Sequence, residues 1–268
     1  MGNLETLPST ALSHQPERQY AATVVCLKAF DAGEADRVLH LYSREHGLIH
    51  AIAKGIRRPG SRLGGAAERM AVNAMLLTRG QSLDVVSQYE NRRSFSALHA
   101  DILKLAYVSL FAELLMAIGT PHDDCSEGLF DALVDGLGRM AKAEDGMVAY
   151  EAAVFQMVTL GWSGYQPCLA RCVITDDPLP WEAPEPFYPF SAEAGGVLMP
   201  EMRGQLPDSQ VVNVSTPTLR CLETLNPQDW LAADPVKVQK FLGYYWAHRL
   251  HRPLQTLPFV LQLLETGG

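Results

Sequence analysis

Apolar and polar residues alternate in short runs over the first third of the chain, then recur at helical spacing over most of the rest. Ala21 to Phe30, with Val24, Val25 and Leu27, reads as a strand ended by Asp31-Ala32-Gly33. Arg37 to Ser43 sets Val38, His40 and Tyr42 against Leu39 and Leu41. Leu48 to Lys54 follows after a turn at His46-Gly47. Met70 to Thr78, a turn at Arg79-Gly80-Gln81-Ser82, and Leu83 to Tyr89 complete five strands in about seventy residues. A five-stranded barrel of the OB type is the economical arrangement, because closure removes exposed sheet edges.

Near Ser96 the period changes. Ala97 to Ile118 carries a stripe of Leu98, Ile102, Leu105, Leu110, Leu114, Leu115 and Ile118, ended by Gly119 and Pro121. Further helices are expected over about Ser126 to Ala143 and Asp145 to Leu160. Periodicity is lost from Trp162 to Ser215, a stretch with Trp181, Phe187, Tyr188 and Phe190 among its prolines. Helices resume at Pro217 to Leu225, and again with Asp234 as N-cap, Pro235 at the first helical position and Pro253 as the stop. The predicted fold class is α+β: an N-terminal five-stranded OB-type barrel over 20–95, then a mainly α-helical domain over 96–268. That domain holds an irregular lobe at 162–215. Residues 1–19 have neither a basic start nor an apolar core and are expected to form a flexible extension rather than a signal peptide.

Charge divides the chain at the same place. Its net charge is −8, yet residues 20–100 hold 11 Lys/Arg against 7 Asp/Glu. The first third is therefore suited to an anionic partner and the acidic remainder to another task. Within it, Lys54, Arg57, Arg58 and Arg62 lie on a ribbon broken by Gly55, Pro59, Gly60, Gly64 and Gly65. A cationic loop between strands suits a phosphate backbone, with a solvated surface loop as the bland alternative. Arg69 lies beside the ribbon, and Arg37, Arg44, Arg92 and Arg93 are second-rank candidates. Phe30, Tyr42 and Tyr89 are the candidate stacking residues, each equally suited to a core. Such sparse aromatics favour backbone contacts over base stacking.

Other chemistry is thin. The motifs Gly-x-x-x-x-Gly-Lys-Ser/Thr, Gly-x-Gly-x-x-Gly, His-Glu-x-x-His and Gly-x-Ser-x-Gly are all missing, so nothing supports an enzyme or a cofactor. Pro121-His122-Asp123-Asp124-Cys125 precedes a helix and reads as a cap rather than a metal site. His248 and His251 have no Cys or carboxylate near them in sequence. Cys168 and Cys172 lack a second pair to complete tetrahedral zinc, which leaves two loop thiols. Five cysteines at irregular spacing argue against a disulfide framework, and the longest apolar run, Leu105 to Gly119, carries Glu113 and is too short for a bilayer. A cytoplasmic protein with reduced thiols is expected.

Several stretches together resemble the RecO family of bacterial DNA repair proteins. They are Gly33-Glu34-Ala35-Asp36-Arg37 with Ser43-Arg44-Glu45-His46-Gly47, the ribbon Lys54-Gly55-Ile56-Arg57-Arg58-Pro59 with Ser61-Arg62-Leu63, Gly161-Trp162-Ser163-Gly164-Tyr165-Gln166-Pro167, and Gly195-Gly196. The resemblance covers about residues 20–255. It implies binding of single- and double-stranded DNA, annealing of complementary strands, and partners RecR and single-stranded DNA-binding protein in loading RecA. An adaptor working through protein contacts, or an RNA-binding OB protein, would be the rival. The family's zinc-finger lobe often carries two Cys-x-x-Cys pairs. Here Cys172 matches the first position, but Thr175, Met199 and Met202 stand at the others and Cys168 lies outside the pattern. A metal-free relic of that lobe is expected, with two buried methionines returning about 1.5–3 kcal/mol each against the roughly 10 kcal/mol a structural zinc supplies.

Overall fold

The computed structural model describes residues 19–267 apart from His122, Asp124, Cys125 and Ala183. The expected N-terminal extension therefore lies outside the described residues except for Gln19, as do three residues of the 121–125 stretch.

Five strands close the barrel: β1 (Gln19–Ala32), β2 (Asp36–Ser43), β3 (Gly47–Ala53), β4 (Val72–Thr78) and β5 (Asp84–Arg93). Their order is β1-β2-β3-β5-β4, with β4 returning to β1 and β3 running parallel to β5. β1 is long because it serves two neighbours, pairing Gln19–Val25 with β4 and Val24–Ala32 with β2. An irregularity between Cys26 and Lys28 lets it bend around the closure. Ala22, Val24, Cys26, Leu39, Leu41, Ile49, Ala51, Met75, Leu77 and Val86 fill the interior. Val25, Leu27 and Tyr42 face outward and join the core of the helical body. The run Val24-Val25-Cys26-Leu27 is apolar without alternation because both of its faces are covered.

The body is built from α1 (Ile102–Ile118), α2 (Ser126–Lys142), α3 (Val148–Trp162), α4 (Thr216–Thr224), α5 (Pro227–Trp230), α6 (Pro235–Leu250) and α7 (Leu257–Thr266). A 3₁₀ turn at Ser96–Ala100 precedes α1, whose N-cap Asp101 accepts a hydrogen bond from the Lys104 N–H at 2.9 Å. The expected single stripe on α1 is corrected: Ala106–Val108 and Leu110–Leu115 are buried around the whole circumference, whereas Ile102 is exposed. A helix apolar on every side belongs at the centre of a body, and Phe111 stacks on Phe155 of α3 with ring centroids 3.9 Å apart. At α6, Asp234 caps the N–H groups of Val236 and Lys237 ahead of Pro235, as expected.

Within 162–215 the structure adds a three-stranded sheet of order β7-β6-β8: β6 (Phe187–Ser191), β7 (Gly196–Val197) and β8 (Val212–Ser215). It rests on α6 through Phe190, whose ring lies 4.8 Å from Phe241 and 5.6 Å from Tyr245. Barrel and body are also joined by polar contacts. The Leu48 N–H donates to the Thr120 carbonyl at 3.1 Å, and the Ser126 hydroxyl donates to the Arg44 carbonyl at 2.9 Å.

Candidate nucleic-acid interface

The ribbon is the connection from β3 to β4, and it is held at both ends by the barrel interior. Ile56 near its start and Ala66 and Ala67 near its end are buried there, with Leu63 packed against them. Between these anchors the backbone runs through successive turns: Arg58 N–H to Gly55 O at 3.1 Å, Ser61 N–H to Arg58 O at 3.0 Å, and Ala66 N–H to Leu63 O at 2.8 Å. Gly55 and Gly60 take φ of 66° and 74°, which favours glycine. Gly65 is required for a different reason. Its N–H donates to the Tyr89 hydroxyl at 3.1 Å, and a Cβ there would stand 2.5 Å from that oxygen. Apolar anchors and a glycine-cut tip thus present Lys54, Arg57, Arg58 and Arg62 to solvent.

The cations differ in what they already hold. Asp31, at the end of β1, accepts from Arg37 Nε at 2.8 Å and lies 3.3 Å from Arg57. The Arg37 hydrogen bond, aided by the Arg57 charge, keeps its carboxyl below the usual carboxylate range. The Arg57 N–H also donates to Ala35 O, and the Gly55 N–H to Asp36 Oδ1, so the β1–β2 turn and the ribbon form one lip. Lys54, Arg58 and Arg62 form no ion pair among the described residues. Arg69 reaches the Ser109 hydroxyl of α1 at 3.3 Å. Arg92 pairs with Glu90 at 3.0 Å, and Arg93 lies over the Phe95 ring at 4.5 Å. Arg44 spans to α2, holding Asp131 at 3.1 Å and Glu127 at 2.5 Å, and these contacts keep its guanidinium still more firmly charged. The structure therefore brings Arg37 and Arg57 together on Asp31, leaves Lys54, Arg58 and Arg62 exposed along the same ribbon, and sets Arg44, Arg69 and Arg93 against the body.

Next to that lip, the outer face of β1, β2 and β3 carries a row that sequence reasoning missed. Lys28 is paired with His40 across β1 and β2, and His40 with His50 across β2 and β3. Phe30 and His40 meet edge to face at 5.2 Å, His40 and His50 are tilted at 4.4 Å, and the Lys28 ammonium lies 4.7 Å from the Phe30 centroid. Burial, and then the charges of His50 and Lys28, hold the His40 imidazole below its ordinary range. Of the stacking candidates named from sequence, only Phe30 remains on the surface. Tyr42 is fully buried, and Tyr89 is half-buried against the barrel core.

The zinc lobe does not fit zinc. The Cys172 sulfur is buried, which pushes its thiol up, but N–H groups of Met199, Thr175 and Ile174 aimed at it outweigh that and hold it below its ordinary value. These N–H groups favour loss of the proton at this one sulfur, while Thr175, Met199 and Met202 bring no further anionic ligand. Among the described residues no three His, Cys, Asp or Glu side chains group as metal ligands. Met199 and Met202 are half-buried rather than buried, a correction, because the short sheet leaves them at its rim. His248 lies 3.4 Å from Glu193, a surface pair. No helix among the described residues is long and apolar enough to cross a membrane.

Residues 18–95 match the family model for the recombination protein O N terminal region, and residues 99–258 the model for its C terminal region. The chain is 40% identical over 153 residues to the DNA repair protein RecO of Pelotomaculum thermopropionicum, covering 57% of this chain and 58% of that one. To RecO of Heliobacterium modesticaldum it is 34% identical, covering 68% and 64%. These two matches span less than two thirds of the relatives' own lengths. The match to RecO of a Synechocystis species, 31% identical, covers 87% of this chain and 93% of the other.

Proposed function

The chain belongs to the RecO family of DNA repair and recombination proteins, and from that premise we propose that it acts as a non-catalytic DNA-binding mediator whose barrel grips the strand. The observation that carries this is the lip of Lys54, Arg57, Arg58, Arg62 and Arg37, in which three cations form no ion pair among the described residues. In this reading, residues 20–95 bind single- and double-stranded DNA. The acidic body over 96–268 takes the protein partners RecR and single-stranded DNA-binding protein, and the pair of surfaces anneals complementary strands and helps load RecA. Phosphate contacts leave base edges free, which annealing requires.

Five neutralised phosphates give a fall of log affinity with log salt at a slope of about −3.5 for single strands. Replacing Arg57, Arg58 and Arg62 by Ala is expected to reduce that slope by about 2 and to slow annealing of complementary oligonucleotides. Arg44→Ala is the control, expected to leave the slope unchanged because its guanidinium is committed to Asp131 and Glu127. Anisotropy titrations at several salt concentrations measure both. A slope that the triple substitution does not move places the DNA elsewhere, and preferential binding of RNA or of neither strand favours the rival readings.

A further inference from the structure

We propose that Asp31 is a built-in stand-in for a DNA phosphate: it holds Arg37 and Arg57 in the free protein, and a bound strand displaces it. The proposal rests on the DNA-binding reading above and adds the residue that sets how tightly the strand is held. Asp31 stands opposite Arg37 across β1 and β2, and the ribbon brings Arg57 to the same carboxylate.

Three features set this contact apart from an ordinary surface ion pair. Two guanidinium groups share one carboxylate, each on its own oxygen: Arg37 Nε meets Oδ1 at 2.8 Å and Arg57 Nη1 meets Oδ2 at 3.3 Å. Guanidinium forks suit carboxylate and phosphate oxygens alike, so a phosphate can take the same donors. The backbone around the contact is also fixed. On the turn that follows Asp31, Asp36 Oδ1 accepts the Gly55 N–H at 2.7 Å and the Ala35 carbonyl accepts the Arg57 N–H at 2.9 Å. Exchanging one anion for another therefore asks for side-chain rotation and no opening of the loop. Lastly, the fold has little need of the pair. The Asp31 side chain is 52% exposed and both arginines 40%, and ion pairs so exposed contribute little stability.

Lys54, Arg58 and Arg62 form no ion pair among the described residues and are available for first contact. A phosphate that then takes Arg37 or Arg57 meets a like charge in Asp31, which offsets part of its attraction. On release the arginines return to a carboxylate instead of being left unpaired. Such an exchange keeps the grip reversible, which suits strands that are held and then passed to a complement.

Anisotropy titration of a labelled oligothymidylate with the full chain tests the exchange. Asp31→Asn is expected to tighten binding about five-fold at low salt and to slow dissociation, with the melting temperature little changed. Glu34→Gln removes the same charge from an exposed position on the same turn, where no ion pair holds it among the described residues. Its expected effect is less than about two-fold. With Arg37→Ala and Arg57→Ala in place, the tightening by Asp31→Asn is expected to vanish, because the carboxylate then has no partner to withhold. An Asp31→Asn variant that binds no more tightly than the natural protein, while the slope of about −3.5 persists, overturns the exchange alone. A tightening equal to that of Glu34→Gln, or one that survives the loss of both arginines, overturns it too, since either reports a uniform field. Failure of the natural protein to bind, or a slope that the ribbon substitutions do not move, overturns the DNA reading and the exchange with it.

Discussion

At His40 two demands meet in one ring. It is partly covered between Phe30 and His50, and the Lys28 ammonium on β1 and the His50 imidazole on β3 are the titratable groups facing it. Burial first, and those charges second, keep its protonation below the ordinary histidine value of 6.5. In the unfolded chain the same ring takes its proton near that value. Above it neither state is charged and His40 contributes no pH dependence. As the pH falls below it, the unfolded chain binds a proton that the folded chain refuses, so stability is lost until the folded ring also titrates. His40→Phe should remove this share of the acid-side loss, with melting temperatures at about pH 7.5 and about pH 5.5 as the measurement. An identical drop in both proteins would show that the folded imidazole titrates normally. The pair itself was legible in the sequence, because a turn at His46-Gly47 sets position 40 opposite position 50. Its role is not legible there, because neither His40 nor His50 lies in a ligand or catalytic motif. Arg44 was not legible, since its partners Glu127 and Asp131 lie far along the chain and only tertiary packing brings them to it.

Among the elements, those with a strong local period were readable and those held by distant contacts were not. Strands β2 to β5 show alternation, β1 a short apolar run bounded by a turn, and α2 a clean apolar face, and their predicted limits lie close to the observed ones. The sheet in the lobe escaped notice because its strands are five, two and four residues long and interrupted by Pro189. Helix α7 is hidden in the sequence because Pro253 reads as a stop just ahead of it, although Pro258, in its first turn, favours a helix start. What fixes α7 is Glu113, buried on α1, whose carboxylate accepts the N–H groups of Gln255 at 2.6 Å and Thr256 at 2.9 Å, at the start of the helix. A carboxylate there meets both unpaired donors and the positive end of the helix. Glu113→Ala is therefore expected to cost about 2–3 kcal/mol in chemical denaturation and to raise hydrogen exchange over Leu257–Thr266. A loss under about 0.5 kcal/mol, the range of an ordinary surface change, would mean that α7 docks by its apolar face alone.

For the molecule as a whole, the question is what holds the lobe to the body when its zinc-finger positions carry one cysteine in four. Four thiolates would supply on the order of 10 kcal/mol through zinc, and this chain keeps one of the family's four positions. In their place Tyr188 and Phe190 of β6 are fully buried, and Phe190 packs edge-on against two rings of α6. Two links of backbone and side chain close the other side of the lobe. The Tyr245 hydroxyl donates to Tyr165 O at 2.9 Å, and Arg249 donates to Ala192 O at 2.9 Å. These contacts belong to α6, so the lobe and the body should unfold together and without regard to metal. Phe190→Ala is expected to cost about 3–5 kcal/mol, the range for removing a fully buried ring. It should do so in a single transition that a chelator does not shift, and metal analysis of the purified protein should find zinc well below one per chain. One zinc per chain, or a melting temperature that falls on chelation, would show that Cys172 and Cys168 recruit further ligands and that aromatic packing is not what secures the lobe.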